Sequence, residues 1–210
     1  MPGSISTVAL PSAATRPAGR PRAFDMDEAL DKAIVVFTER GYHGTSIGDL
    51  SAALGVTAGS LYKAFTDKKA IFLAAFDRYK TVRNAARDEA IAPGKTGRER
   101  IRLLLEYQAA YAHGQMGRRG CLVVGAAVEL ALFDAETDAR VSQSQAGFQD
   151  LLERLVREGH ADGSIGGHVD PSVTAHLLYV VLQGLRVVGK SGQDCAHAMA
   201  AAETALKILD

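Results

Sequence analysis

The stretch SIGDLSAALGVTAGSLYKAF, residues 46–65, carries two short apolar patterns. Ile47, Leu50 and Leu54 recur at helical spacing, as do Leu61, Ala64 and Phe65, and Gly55-Val56-Thr57 separates them. Each half is shorter than the roughly 12–15 residues an isolated helix needs in water, so other elements must brace both. Two braced short helices at a sharp joint fit a helix-turn-helix, in which the first helix supports a second that lies in the DNA major groove. Glycine belongs at the first position of so tight a joint, and Gly55 stands there. Ser51 supplies a small residue where the helices cross, Val56 and Leu61 can be buried beneath the joint, and Thr57 can cap the second helix. Ala58, Gly59, Ser60, Tyr62 and Lys63 are then left outside. Hydroxyls and lysine suit phosphate oxygens, and the Ala58 methyl suits a thymine methyl. A helical hairpin inside a bundle would show the same spacing.

Nearly every other segment also has helical period, and no run alternates like a strand. A first helix is expected from about Asp27 to Arg40, with Gly41 at its C-terminal end. A fourth starts after Thr66-Asp67 and runs toward Ala90, and Pro93-Gly94 ends it. Further helices are placed at about Gly97–Gln115, Cys121–Phe133, Ala135–His160, Pro171–Lys190 and Asp194–Leu209. The expected fold is all-α with about nine helices. A disordered basic arm (1–22) precedes a three-helix helix-turn-helix domain (23–70), and a helical ligand-binding and dimerisation domain (71–210) follows.

The chain has 210 residues, 47% hydrophobic and 23% charged, as in ordinary globular proteins. No stretch approaches the ~18 continuous apolar residues of a membrane span, and the N-terminus lacks the pattern of a signal peptide. A cytoplasmic protein is expected, with Cys121 and Cys195 as reduced thiols. The formal net charge is zero, yet Thr57–Arg83 holds six basic residues (Lys63, Lys68, Lys69, Arg78, Lys80, Arg83) against Asp67 and Asp77. Such clustering reads as an electrostatic footprint for nucleic acid, or as a solvated face. Arg16, Arg20 and Arg22 add positive charge ahead of the domain; Arg20 and Arg22 are placed to reach the minor groove or phosphates.

The run FTERGYHGTSIGDLSAALGVTAGSLYKAFTDKKAIF, residues 37–72, resembles the DNA-binding domain of the TetR family of bacterial transcriptional regulators. The likeness spans about Asp27 to Arg83 and joins Phe37, Gly41, Tyr42, Thr45, Ile47, Gly55, Val56, Gly59, Leu61, Tyr62, Phe65 and Lys68. It implies a homodimeric, all-α repressor that leaves a palindromic operator when a small molecule or reactive species acts on its C-terminal domain. It also implies that Thr45, Tyr62 and Lys68 contact phosphates, while Thr57, Ala58, Ser60 and Lys63 face bases or nearby backbone. Two residues depart from the family pattern. Ser51 replaces the usual alanine, and Lys69 replaces the usual acid, which would add positive charge near the DNA.

In the C-terminal half, the helix from Pro171 is apolar almost all round, and the last helix is rich in alanine. Both fit the four-helix dimer interface that the resemblance implies. Arg118–Leu130 (RRGCLVVGAAVEL) is similar to a TetR branch with Gly-Cys-Leu at this place, and Gly125 stands where that branch often has asparagine. Members of the branch answer to reactive electrophiles and metals among other signals. Cys121, at a helix start beside Arg118 and Arg119, is a candidate sensor or an inert packed thiol. Candidate pocket residues are Tyr107, Gln108, Tyr111, His113, Cys121, Phe148, His176 and Gln183. No histidine or cysteine spacing suggests a metal site, and no cofactor is expected. Two other classes stay open: a cysteine enzyme with Cys121 as nucleophile and His113 or His160 as base, and an unregulated architectural DNA binder.

Overall fold

The computed structural model describes residues 25–210, all helix and connecting turns. The basic arm expected at 1–22, with Arg20 and Arg22, lies outside the described residues. Asp25 opens α1 (Met26–Arg40), its carboxylate accepting from the Asp27 and Glu28 amides. α2 (Ile47–Leu54) begins with a capping box in which Ser46 and Asp49 satisfy each other's backbone amides. Gly55 closes α2 in the left-handed region at φ 70°, and Thr57 caps α3 (Ala58–Ala64) by accepting from the Ser60 amide. The Ser51 hydroxyl donates to the Val56 carbonyl at 2.6 Å, so this departure from alanine adds a bond across the joint. Leu50, Leu54 and Leu61 are buried against α1 and the first turns of α4 (Lys68–Ile91), where Phe37, Phe72 and Phe76 form the centre. The two short helices thus gain their stability from tertiary packing.

α5 (Gly97–Ala110), α8 (Ala135–Asp162), α9 (Pro171–Lys190) and α10 (Cys195–Leu206) build a second core around Ile101, Leu104, Leu152, Leu178 and Leu182. α6 (Gly114–Arg119) and α7 (Leu122–Glu129) bridge the two halves. Leu122, Ala126 and Leu130, with Val141 of α8, are buried in the same core as α1 and α4, so that core crosses residue 70. α4 is continuous through that point, and its Ile71, Phe72, Leu73, Ala75 and Phe76 are buried with the reader.

One element differs from the sequence reading. The helix expected to run from Gly97 to Gln115 stops at Ala110, and a separate α6 follows, giving ten α-helices among the described residues. The break contains Gly114 in the left-handed region at φ 59°, and a buried arginine ties its two ends. Arg186 on α9 donates to the carbonyls of Tyr111 and Gly120, at 2.5 and 2.8 Å, and so holds both ends of the α6 excursion.

α9 is amphipathic in a way that bears on assembly. Thr174, Leu178, Leu182 and Leu185 face the core, while Val173, Leu177, Val180, Val187 and Val188 are exposed on the opposite side. On α10, Ala198 and Ala202 are buried inside the protomer against α5, while Cys195, Ala196, Met199 and Ala200 are exposed. The larger exposed apolar side chains belong to α9, and α10 adds small ones beside Met199.

Candidate functional site

The outer face of α3 is open. Ala58, Gly59, Ser60, Tyr62 and Lys63 are exposed, with Tyr62 at 56%, and neither Tyr62 nor Lys63 has a hydrogen-bond or ion-pair partner among the described residues. Thr57 is exposed too, but its hydroxyl both caps α3 and bonds the Ser60 hydroxyl at 3.0 Å. That leaves Tyr62 and Lys63 as long polar side chains free to reach a partner.

Two residues expected at phosphates make hydrogen bonds within the protein. Thr45 is 1% exposed, and its hydroxyl donates to the Gly41 carbonyl at 2.6 Å. Lys68 turns inward: its Nζ donates to the carbonyls of Tyr42 and Thr45, each at 2.9 Å, and lies 4.2 Å from the centre of the Tyr42 ring. Both residues shape the α1–α2 turn, and Lys68, half-buried, is bonded there to neutral carbonyls without a carboxylate partner among the described residues. Lys69 is corrected by the structure. It binds Asp134 at 2.5 Å and Glu136 at 3.3 Å, so its charge is spent on α8 and its N-cap. Lys69 and the Thr137 amide hold the Asp134 carboxyl down to about 2.

The basic run at residues 57–83 therefore serves several ends. Lys63 faces outward, Lys68 and Lys69 are internal ties, and Arg78 pairs with Asp27 and Asp31 of α1. Lys80 and Arg83 turn to a cavity on the far side of α4. The clustering that suggested a DNA footprint is dispersed by the helix, which sends successive residues to different faces.

The α1–α2 turn is gripped from two directions. Lys68 takes its carbonyls, and Glu129 at the end of α7 takes its amides: one carboxylate oxygen accepts from Tyr42 N–H at 2.9 Å and His43 N–H at 3.3 Å. Gly41 makes the approach possible. A Cβ there would lie 2.3 Å from the other Glu129 oxygen, and φ 74°, ψ 172° is a conformation other residues rarely adopt. Arg119–Glu39 at 3.2 Å and Lys190 Nζ to the Thr38 carbonyl at 3.1 Å add ties between the halves.

α7 also reaches a cavity of about 340 Å3, which lies between α4, α5, α8 and α9 with Cys121 and Val123 in its wall. Of the expected pocket residues, Gln108, Cys121, Phe148 and Gln183 line it. Tyr107 and Tyr111 are not among its lining residues; their rings meet at 5.0 Å, tilted by 55°, with the Arg83 guanidinium 3.7 Å from the Tyr111 ring. Burial raises the Tyr107 hydroxyl, which has no hydrogen-bond partner among the described residues. His113 is instead the N-cap residue of α6, and His176 is exposed and bonds Gln149 at 2.9 Å.

Sequence reasoning missed the α4 side of the cavity (Lys80, Arg83, Arg87) and Arg186 and Tyr179 of α9. The signal available was the polar stripe at Lys80, Arg83, Asn84 and Arg87, spaced as one helix face. Cys121 receives the Tyr79 hydroxyl at 3.6 Å, and burial pushes Tyr79 far up. Neither His113 nor His160 shares a cavity wall with this thiol, so it lacks the base that a cysteine enzyme needs. A second, mostly apolar cleft of about 250 Å3 separates α7 from α1 and includes Gly41, Cys121 and Glu129.

An exposed helix-turn-helix reader tied to a helical domain with an internal cavity defines a DNA-binding transcriptional regulator. Residues 29–75 match the family model described as bacterial regulatory proteins, tetR family, and residues 97–205 match the tetracyclin repressor-like C-terminal domain. The chain belongs to the TetR family. It is 31% identical over 195 residues to the HTH-type transcriptional repressor ComR of Escherichia coli (strain K12), covering 90% of this chain and 91% of that one. It is 28% identical to the HTH-type transcriptional regulator YezE of Bacillus subtilis (strain 168), covering 91% and 100%. Among solved structures, a cysteine mutant of the TetR-family regulator CifR, complexed with 26 bp double-strand operator DNA, superimposes with TM-score 0.80 at 31% identity. That match covers 91% of this chain and all of CifR. The protein is a DNA-binding regulator and not an enzyme.

Proposed function

We propose that the protein is a homodimeric repressor that binds a palindromic operator in the cytoplasm and is released when a small molecule fills the 340 Å3 cavity. The observation that carries this reading is the shared use of α4 and α7. Each lends residues to the cavity wall, Lys80 and Arg83 from α4 and Val123 from α7, and each grips the reader's turn, through Lys68 and Glu129. A ligand that moves either helix moves the reader, provided it favours the conformation that does not fit DNA. The exposed valine and leucine stripe of α9 supports a two-fold dimer, which would present two α3 helices about one DNA turn, ~34–36 Å, apart. Tyr62 and Lys63 would touch phosphates, and Ala58 and Ser60 base edges. The test is a mobility-shift titration with DNA from upstream of the protein's own gene, with and without candidate small molecules. Binding without sequence preference would sink the repressor reading, and specific binding that no ligand reverses would sink the release.

A second route, thiol sensing, is favoured by the place of Cys121 in the walls of both cavities. In Cys121→Ser, release by an electrophile such as N-ethylmaleimide should vanish. Persistence of that release removes this route.

A further inference from the structure

We propose that the cavity takes an anion: a carboxylate or phosphate joined to an apolar body of about one or two rings, with Arg186, Arg83 and Lys80 receiving the charged head. The proposal rests on the cavity being the effector site and names the chemistry of what fills it.

Arg186 is the strongest pointer. It is only 8% exposed, and its guanidinium donates to two backbone carbonyls, those of Tyr111 and Gly120, with no carboxylate paired to it among the described residues. Buried charges in proteins are normally paired, because carbonyl dipoles do not cancel a net charge withdrawn from water. Yet Arg186 lies in the cavity wall, where a ligand can supply the missing anion.

Lys80 and Arg83, from α4, stand in the same wall and likewise have no carboxylate partner among the described residues; Arg83 rests on the Tyr111 ring. Arg87 is the fourth basic group, and Asp88 pairs with it. Among the described residues no aspartate or glutamate lines the cavity, and the other polar groups are neutral amides, hydroxyls and the Cys121 thiol. The charge of the wall is therefore unbalanced, in a chain whose formal net charge is zero.

The rest of the wall sets the body of the ligand. Val123, Phe148, Tyr179 and Leu182 give an apolar surface, and the volume of about 340 Å3 sits at the lower end of small-molecule sites. A fused ring or short aliphatic body fits that volume. The exposed Gln143 and Gly147 of α8 belong to the wall, so the cavity is reachable from solvent. Guanidinium forks match carboxylate and phosphate oxygens in paired hydrogen bonds, which a neutral isostere of the same shape cannot reproduce.

The test titrates full-length protein calorimetrically with 2-naphthoate, 2-naphthyl phosphate and the neutral 2-naphthamide, which separates the carboxylate from the phosphate head. At least one anion should bind about tenfold or more tightly than the amide. In Arg83→Gln and in Lys80→Met, with unchanged circular dichroism and mass, that preference should fall to about threefold or less. Arg186→Gln also removes the ties to Tyr111 and Gly120, so the decision rests on the two α4 variants. An amide that binds as well as both anions, no binding by any of the three at millimolar concentration, or a preference that survives both substitutions overturns the proposal. Operator release is read on the same samples. An anion that binds selectively without releasing operator keeps the anion site and removes the effector reading; release by the amide alone does the reverse.

Discussion

Replacing Glu129 with alanine should loosen the reader without unfolding it. The carboxylate makes two charge-assisted bonds, at 2.9 Å to Tyr42 N–H and 3.3 Å to His43 N–H. The first is of normal length and the second weak, and the exposed His43 amide can be rehydrated. At about 1.5–3 kcal/mol for a hydrogen bond to a charged group, the clasp contributes about 2 kcal/mol, a factor of roughly thirty in how strongly one turn position is favoured. Lys68 still holds the carbonyls of the turn, so the reader stays folded but ranges more widely. The assay compares an operator of natural spacing with one carrying a single central base-pair insertion, which displaces a half-site by about 3.4 Å and rotates it by roughly 34°. Glu129→Ala should weaken binding to the natural operator about tenfold and lose most of the discrimination against the insertion. Glu129→Gln keeps an acceptor oxygen at about half the strength and should fall between alanine and wild type. Equal losses on both operators would mean that Glu129 serves only general stability, and no loss on either would mean the clasp is idle; both outcomes refute the reasoning.

Tyr62→Phe should weaken binding to all sequences alike by about 1 kcal/mol, since a phosphate contact carries no sequence, whereas Ala58→Ser should change which sequence is preferred in a binding-site selection. Val180→Glu, on the exposed stripe of α9, should give a folded monomer by sedimentation and abolish specific operator binding. The Lys69–Asp134 contact predicts a pH window with a definite sign. The folded-state value of Asp134, about 2, lies below the ordinary ~3.9, so its stabilisation is complete above about pH 4 and is lost as pH falls toward 2. Denaturant midpoints of wild type and Asp134→Asn should accordingly differ at pH 6 and converge near pH 2, with asparagine keeping the cap to Thr137.

Much of the fold could be read from residues with local consequences. Gly55, Thr57 and Asp67 act within a turn of their own position, and the structure finds each where turn and cap chemistry put it. Gly114 was a local sign of the break before α6, but the tie from Arg186 to Gly120 spans 66 residues and no local pattern shows it. The cavity was half legible for a related reason. Helical period says that Gln108 or Phe148 turns inward, but not which neighbour it meets. Tyr107 and Tyr111 turn inward as well, and Arg83 covers them. Thr45 shows the same limit in the reader, where a polar side chain can be engaged by its own backbone.

The dispersal of the basic run changes what should hold this protein on DNA. If all six basic residues of 57–83 met phosphates, binding would be steeply salt-dependent, since each phosphate neutralised contributes about 0.9 to the slope of log K against log salt. Lys69 and Arg78 are paired with carboxylates, and Lys80 and Arg83 face the cavity, which leaves the exposed Lys63, and Lys68 with only carbonyls bonded to it, as the cations of that run whose charge is open to DNA. Lys63→Gln should therefore lower the slope by about one per half-site, whereas Arg83→Gln should leave it unchanged. The remaining electrostatic contribution is proposed to come from Arg16, Arg20 and Arg22. Removing residues 1–22 should then lower the slope by up to about three per half-site, more than any substitution on α3. Were truncation to leave the slope intact while Arg83→Gln reduced it, α4 would have to turn its cationic face to DNA in the bound state. The cavity's unpaired charge would then belong to the operator and not to a ligand.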